Sequence, residues 1–312
     1  MIRKLELDSL SAEASSLDQL LGSRTAAEDP IGYFQYSQRL AELRDEISHM
    51  QDVAEHSASV ALFFAGRPVI GSRGIRADFA GKAVEVFQDM VSKRFAANEV
   101  GELGQRGRIP LRSNSDLMLT DVARGSFGVV LEESVETVPF ADTQLKVVLD
   151  EVVSSMQKAV SVDGESFEEL LEDIDNRYLR SLGAFFELLD ESDATLRIVE
   201  GDNDRQLDGE EIHRGRERTS AAEIQERDDQ QLVGVVYLLP AHRRFELVLD
   251  SGESIWGPVS REFAAAHLEA TRAANDVVGH RWRVRALART VIRPNREPKT
   301  THRLLGLIER LD

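Results

Sequence analysis

The apolar positions of the first fifty residues keep a helical period. Leu7, Leu10, Ala14, Leu17 and Leu21 fall three and four apart, the spacing of an amphipathic helix, and Gly22 ends it. Asp29 before Pro30 supplies an N-cap and a first helical residue for a second helix. In that helix Tyr33, Tyr36, Leu40, Leu43, Ile47, Met50 and Ala54 continue the spacing. Residues 1–57 are therefore expected to form a helical hairpin. Its a/d seam is just long enough for a coiled coil. The residues Leu40, Leu43, Ile47 and Met50 then have two readings: they pack inside the hairpin, or they join two copies into a homodimer.

The period then alternates between strand and helix, which predicts an α+β domain over residues 58–200. Two short apolar runs in "SVALFFAGRPVIGSRGI" flank Gly66, Arg67 and Pro68 and read as a hairpin. Phe79, Ala83, Phe87, Val91 and Phe95, four apart, mark a helix over 78–97. Leu117–Val122 and Phe127–Glu132 read as strands about Gly125. Leu145, Val148, Leu149, Val152 and Met156 share one face of a long helix. Phe167, Leu171, Ile174, Tyr178, Leu182, Phe185 and Leu189 share a face of another, and "DATLRIVEG" reads as a strand. Residues 201–231 are polar and poor in apolar anchors, the pattern of a linker or exposed insertion. From residue 232 to 312 the order is three strands, a helix capped by Ser260, and two more strands. That βββαββ order is the one an OB-like small β-barrel would show.

Composition narrows the classes. The chain has 312 residues, 42% of them hydrophobic and 30% charged, the profile of a globular protein with room for two cores. No apolar run approaches the ~20 residues a bilayer span needs. The opening "MIRKLELDSL" lacks the apolar stretch of a signal peptide, so no membrane segment and a cytoplasmic location are expected. Cysteine is absent, which removes disulfides, thiolate metal sites and cysteine nucleophiles together.

Charge is unevenly spread. The formal net charge is -17, yet Glu132–Asp193 holds 17 acids against 4 bases while Ala241–Asp312 holds 9 against 13. Within the basic part, "GHRWRVRALAR" alternates Arg281, Arg283 and Arg285 with Trp282, Val284 and Ala286, which puts three guanidinium groups on one face of a strand.

Motifs of catalysis do not hold up on reading. "ARGSFGVV" imitates a kinase glycine-rich loop, but Ala123 stands at the first glycine and no V-A-I-K, H-R-D or D-F-G element follows. "GRPVIGSR" has P-loop glycine spacing with Ser72-Arg73 in place of the Lys-Ser/Thr pair. The seven histidines form no H-x-H or H-E-x-x-H pair. "DNDRQLDGEEI" places Leu207 or Gly215 where a calcium loop needs its glycine or closing glutamate. No cofactor and no metal are expected.

What remains is binding. In an OB-like barrel the two loops beside the ligand groove would here be "PAHRRF" and "IRPNREPKTTHR". The candidate binding residues are therefore His242, Arg243, Arg244 and Phe245, the stripe Arg281, Arg283 and Arg285, and Arg293, Arg296 and Lys299. Phe245, Trp256 and Trp282 could stack on a ligand if they face outward. The leading expectation is a non-enzymatic interaction or regulatory protein, homodimeric, binding a protein partner through the C-terminal module or the acidic helices. A nucleic-acid-binding protein using the basic loops is the first alternative, and an enzyme with a site near Arg67, Ser72 and Arg73 is the second. Arginines that pair with the chain's own acidic helices would serve neither ligand.

Overall fold

Two long helices open the protein in the computed structural model, α1 (Arg3–Gly22) and α2 (Pro30–Asp52), joined by a short turn. Asp29 caps α2 by accepting the Gly32 N–H at 2.9 Å. The seam is closed from within. Ala14, Leu40 and Leu43 form a buried cluster with Leu10, Leu17, Leu21 and Ile47 packed against it, so Leu40, Leu43 and Ile47 face α1 of their own chain. Met50, at the far end of α2, is half-buried. Arg39 to Glu13 (3.1 Å) and Arg44 to Asp18 (2.8 Å) tie the hairpin's flanks.

The remaining elements are β1 (Ser59–Gly66), β2 (Val69–Ile70), β3 (Gly74–Ile75), α3 (Ala77–Val100), β4 (Leu117–Ala123), β5 (Phe127–Glu133), α4 (Gln144–Val160), α5 (Gly164–Asp173), α6 (Asn176–Glu191), β6 (Ala194–Glu200), β7 (Asn203–Leu207), α7 (Gly209–Ala221), β8 (Glu223–Leu239), β9 (Arg244–Leu249), β10 (Ser254–Pro258), β11 (Arg281–Ile292) and β12 (Lys299–Arg310). The structure describes residues 2–52, 55–71, 73–101, 103, 106–123, 127–134, 139–239, 244–260, 263, 264, 266, 277–293 and 297–311. Among these no helix is long and apolar enough to cross a membrane.

The chain divides into two compact units. The first gathers Met1–Val91, Ser113–Ser155 and Glu187–Ile212, the second Ser92–Arg112, Met156–Phe186 and His213–Asp312. The division runs through α3, α4, α6 and α7. It also separates charge: the first unit has 32 acids against 13 bases, the second 23 against 25.

The first unit is built on an antiparallel sheet of order β4-β5-β1-β6-β7. β1 is its centre, apolar on both faces, as expected of a strand covered on two sides. One face carries Ala61, Phe63, Val130 and Val199, covered by Ile2 and Leu5 at the start of α1. On the other, Phe64 meets Phe79 of α3 edge to face at 5.3 Å. Gly128 must lack a side chain, because a Cβ there would meet the Phe63 ring at 2.4 Å. The second apolar run after Gly66 pairs with β3, not with β1 as the hairpin reading had it.

The second unit holds an antiparallel sheet of order β10-β9-β8-β11-β12. Its inner face buries Val236, Leu238, Phe245, Leu247, Ile255, Val284 and Leu304. The expected barrel does not form, because the sheet stays open. Beyond its paired strands, an isolated bridge from Val259 to Leu304 is formed, beside the Ser260 N–H donating to the Leu304 carbonyl at 2.8 Å. Pro258 ends β10 and, having no N–H, cannot extend a ladder there. The helix expected after Ser260 lies mostly outside the described residues; at its start the Phe263 N–H donates to Ser260 Oγ at 3.1 Å.

Two further expectations change. Residues 201–231 are not a linker: they form β7, α7 and the first half of β8. Of their few apolar residues, Leu207, Ile212, Ala222 and Ile224 are buried, which is enough to anchor elements whose other positions are mostly polar. The helix read from Phe167 to Leu189 is two helices. Ile174 turns extended (φ -103°, ψ 151°), and Asp175 restarts the chain as a cap by accepting the Tyr178 N–H at 2.7 Å.

Candidate functional site

The alternation of β8–β11 sorts the C-terminal residues onto two faces. The register Tyr237–Glu246–Trp256 runs across β8, β9 and β10, with Leu239–Arg244–Pro258 beside it and Val235–Val248–Ser254 on the other side. Arg281 lies beside Val235 and Arg283 beside Val233, so the arginine stripe shares this outer face. Trp256 is 53% exposed, Leu239 52% and Tyr237 42%. With Val235 and Val248 they put apolar surface on this face around the exposed Glu246, which stands between Tyr237 and Trp256. The Arg244 guanidinium lies over the Trp256 ring at 5.1 Å.

The three arginines of "GHRWRVRALAR" are placed as their alternation implies. Arg281 donates from Nε to Asp250 at 3.1 Å, and Arg283 pairs with Glu309 at 2.7 Å. Arg285 is exposed on the same face. Trp282 is half-buried against the core, its indole N–H donating to the Val277 carbonyl at 3.2 Å. Phe245, offered as a stacking platform, is 1% exposed and belongs to the core. That corrects the expectation for Phe245: its strand parity is that of Leu247, not of Trp256. His242, Arg243 and Arg296 lie outside the described residues.

The basic loop residues meet the acidic helix α5. Glu172 accepts from Lys299 at 2.6 Å and from Arg244 at 3.3 Å, and Arg293 pairs with Glu168. Lys158 reaches Glu169 at 3.3 Å and Arg94 reaches Asp173 at 2.6 Å. Burial alone would raise the Asp173 carboxyl, but Arg94, Arg303 and Arg289 hold it below the usual range. Arg289, 3% exposed, donates to the Glu172 and Ile174 carbonyls at the end of α5. This arrangement has a local cause. Glu168, Glu169, Glu172 and Asp173 crowd like charges into the last turns of a ten-residue helix, where the macrodipole is already negative. The surrounding cations offset both effects. Sequence reading left Arg289 out of the site residues; the alternation that marks Arg281 to Arg285 continues to it only across an irregularity between Ala286 and Ala288.

Two other clusters stand in the first unit. Lys146 of α4, 11% exposed, bonds Glu200 at 2.5 Å and Asp150 at 2.8 Å, and the Glu200 side chain is 1% exposed. Burial is the main cause that raises Glu200 to about 7, a bond to Asp150 adds to it, and Lys146 opposes it. Burial also raises the nearby Glu55 carboxyl, against the pull of Lys146 and Arg3. The geometry is that of a tie between α4 and the end of β6, closed to any substrate at Glu200. A cleft of about 310 Å³ is lined by Arg67, Arg76 and Lys82 together with Asp78, Phe79 and Glu191. Its cations are matched by carboxylates: Arg67 by Asp193, Arg76 by Asp78 and Lys82 by Glu85. Among the described residues no group of three His, Asp or Glu side chains is arranged to hold a metal ion.

Compared with protein-family models, with curated proteins and with solved structures, the chain matches none.

Proposed function

We propose that the protein is a non-enzymatic interaction protein that binds a protein partner through the outer face of its C-terminal sheet. The observation that carries this reading is the half-exposed pair Trp256 and Tyr237, with Leu239 beside them, on one side of an open sheet. Trp, Tyr and Arg are the side chains that dominate protein-binding hot spots, because they bury much area and can still bond at the rim. Arg281 and Arg283 suit that rim. Their present partners, Asp250 and Glu309, are more than half exposed, and such surface pairs contribute about 0–1 kcal/mol. A partner's carboxylates can replace them at little cost.

Nucleic acid fits the same face less well. The loop cations Arg244, Arg293 and Lys299 are each paired with a carboxylate of α5, and those carboxylates, Glu172 and Glu168, are far less exposed than Asp250 and Glu309, so a phosphate would displace them at greater cost. The test is a titration of labelled single-stranded DNA and RNA at low salt, run beside affinity capture with the intact chain and a Trp256→Ala/Tyr237→Ala variant. The proposal expects no oligonucleotide binding and a captured polypeptide that the variant loses. Salt-sensitive oligonucleotide binding that the variant loses would refute it.

A further inference from the structure

We propose that the cleft lined by Arg67, Arg76 and Lys82 binds a small oxyanion ligand, a phosphorylated or carboxylated molecule of metabolite size. Every residue of its lining belongs to the first unit, so the site is independent of the partner face above.

The cleft measures about 310 Å³, the lower end of the range that small-molecule sites occupy. Its three cations come from separate points of the chain. Arg67 stands in the turn after β1, Arg76 immediately before α3, and Lys82 on the second turn of that helix. Phe79, 5% exposed, lines the cleft as well, and its ring is held edge to face on Phe64 at 5.3 Å. The main chain fixes both arginines at their roots. The Arg67 N–H donates to the Asp193 carbonyl at 3.1 Å, and the Arg76 N–H donates to the Pro68 carbonyl at 2.9 Å. Gly66, at φ 91°, lets the first of these turns close, because a Cβ there would collide with that Asp193 oxygen. A backbone set before the ligand arrives lowers the ordering cost of binding.

Charge selects the ligand. The first unit has 13 bases among its 32 acids, and three of the 13 line this one cleft. The lining holds two carboxylates, Asp78 and Glu191, which leaves one positive charge in excess. Asp193 and Glu85, the partners of Arg67 and Lys82, are not part of it. Asp78 pairs with Arg76 and accepts the Phe79 N–H at 2.9 Å, so the start of α3 is already capped and the side chains must hold the ligand. In all three ion pairs both side chains are more than half exposed, and such pairs contribute about 0–1 kcal/mol. An oxyanion displaces partners of that kind cheaply, and the arginine fork matches phosphate and carboxylate alike. Of the residues that the sequence offered for a site in this loop, Arg67 lines the cleft, Arg73 does not, and Ser72 lies outside the described residues.

The test is a calorimetric titration of the intact chain with inorganic phosphate and, separately, with succinate, the ionic strength held constant with chloride. At least one probe should saturate a single site, with half-saturation at about 1 mM or below, and the better probe tells a phosphoryl ligand from a carboxylate. Arg67→Gln/Lys82→Gln should weaken that binding at least tenfold with unchanged circular dichroism. Ser192→Glu, which adds a carboxylate to the lining, should do the same and keeps the test valid if the double variant fails to fold. Arg281→Gln/Arg283→Gln should bind as the wild type does, which separates the cleft from the arginines of the partner face. Saturable binding of neither probe up to about 20 mM overturns the proposal. So does binding that Ser192→Glu retains in full, or that Arg281→Gln/Arg283→Gln loses.

Discussion

Replacing Glu200 with Gln probes the buried tie in the first unit through its protons. The ordinary value of this carboxyl is 4.5, and in the fold it stands at about 7, chiefly because burial disfavours the charge. Between those values the native protein holds a proton that the unfolded chain releases, so stability falls as pH rises. The contribution is complete below about pH 4.5 and is lost as pH passes through about 7. From about pH 5 to about pH 8 the loss comes to roughly 2–3 kcal/mol, a ceiling because the Lys146 ammonium beside Glu200 favours the charged form. E200Q cannot ionise there and lacks this slope, whatever its own starting stability. Urea unfolding of both proteins at the two pH values should therefore show the wild type losing roughly 2 kcal/mol relative to E200Q. Parallel pH profiles for the two would refute the reasoning. A wild type that gained on E200Q with rising pH would reverse its sign.

The other predictions concern the contacts that settle the fold. Glu172→Ala removes the acceptor shared by Arg244 and Lys299. It should cost about 1–3 kcal/mol in urea unfolding and raise low-salt affinity for single-stranded DNA, since it releases two cations. Gly257→Ala would place a Cβ 1.8 Å from the His302 carbonyl oxygen, a backbone atom that cannot swing away. A destabilisation above about 3 kcal/mol is expected, and a neutral result would contradict the close approach at the end of β10. Leu43→Asp puts a charge at a fully buried seam position. It should cost about 3 kcal/mol or more and lower far-UV helicity, and a neutral result would contradict the seam's packing against α1.

Local pattern carried most of the elements and little of their pairing. The four-residue stripe from Phe79 to Phe95 is buried as its period implies, and the α1–α2 seam is closed. Such features are written in one segment. The break at Ile174–Asp175 was hidden because the apolar face continues across it, and only a cap shows where the helix restarts. β7, α7 and early β8 were hidden for a different reason: a few anchors, Leu207, Ile212 and Ile224, suffice when neighbouring elements supply the rest of the core. The barrel expectation rested on element order, whereas closure depends on whether β10 and β12 can share a ladder. Of the candidate site, strand parity correctly set Trp282 inward and the arginines outward. It could not reveal that Tyr237 stands in register with Trp256, or that α5 takes the loop cations, because both depend on which distant segments meet.

The central claim is that the outer face of the C-terminal sheet is a protein-binding surface. Its most direct test is site-specific photocrosslinking in the cells that produce the protein, with a benzophenone amino acid at Trp256 and a control at Ser16 on α1. The account predicts a discrete adduct at position 256, resistant to nuclease, containing one enriched polypeptide, and reduced at least tenfold by Tyr237→Ala/Leu239→Ala. An adduct no stronger than that at Ser16, or one that nuclease removes, would contradict it.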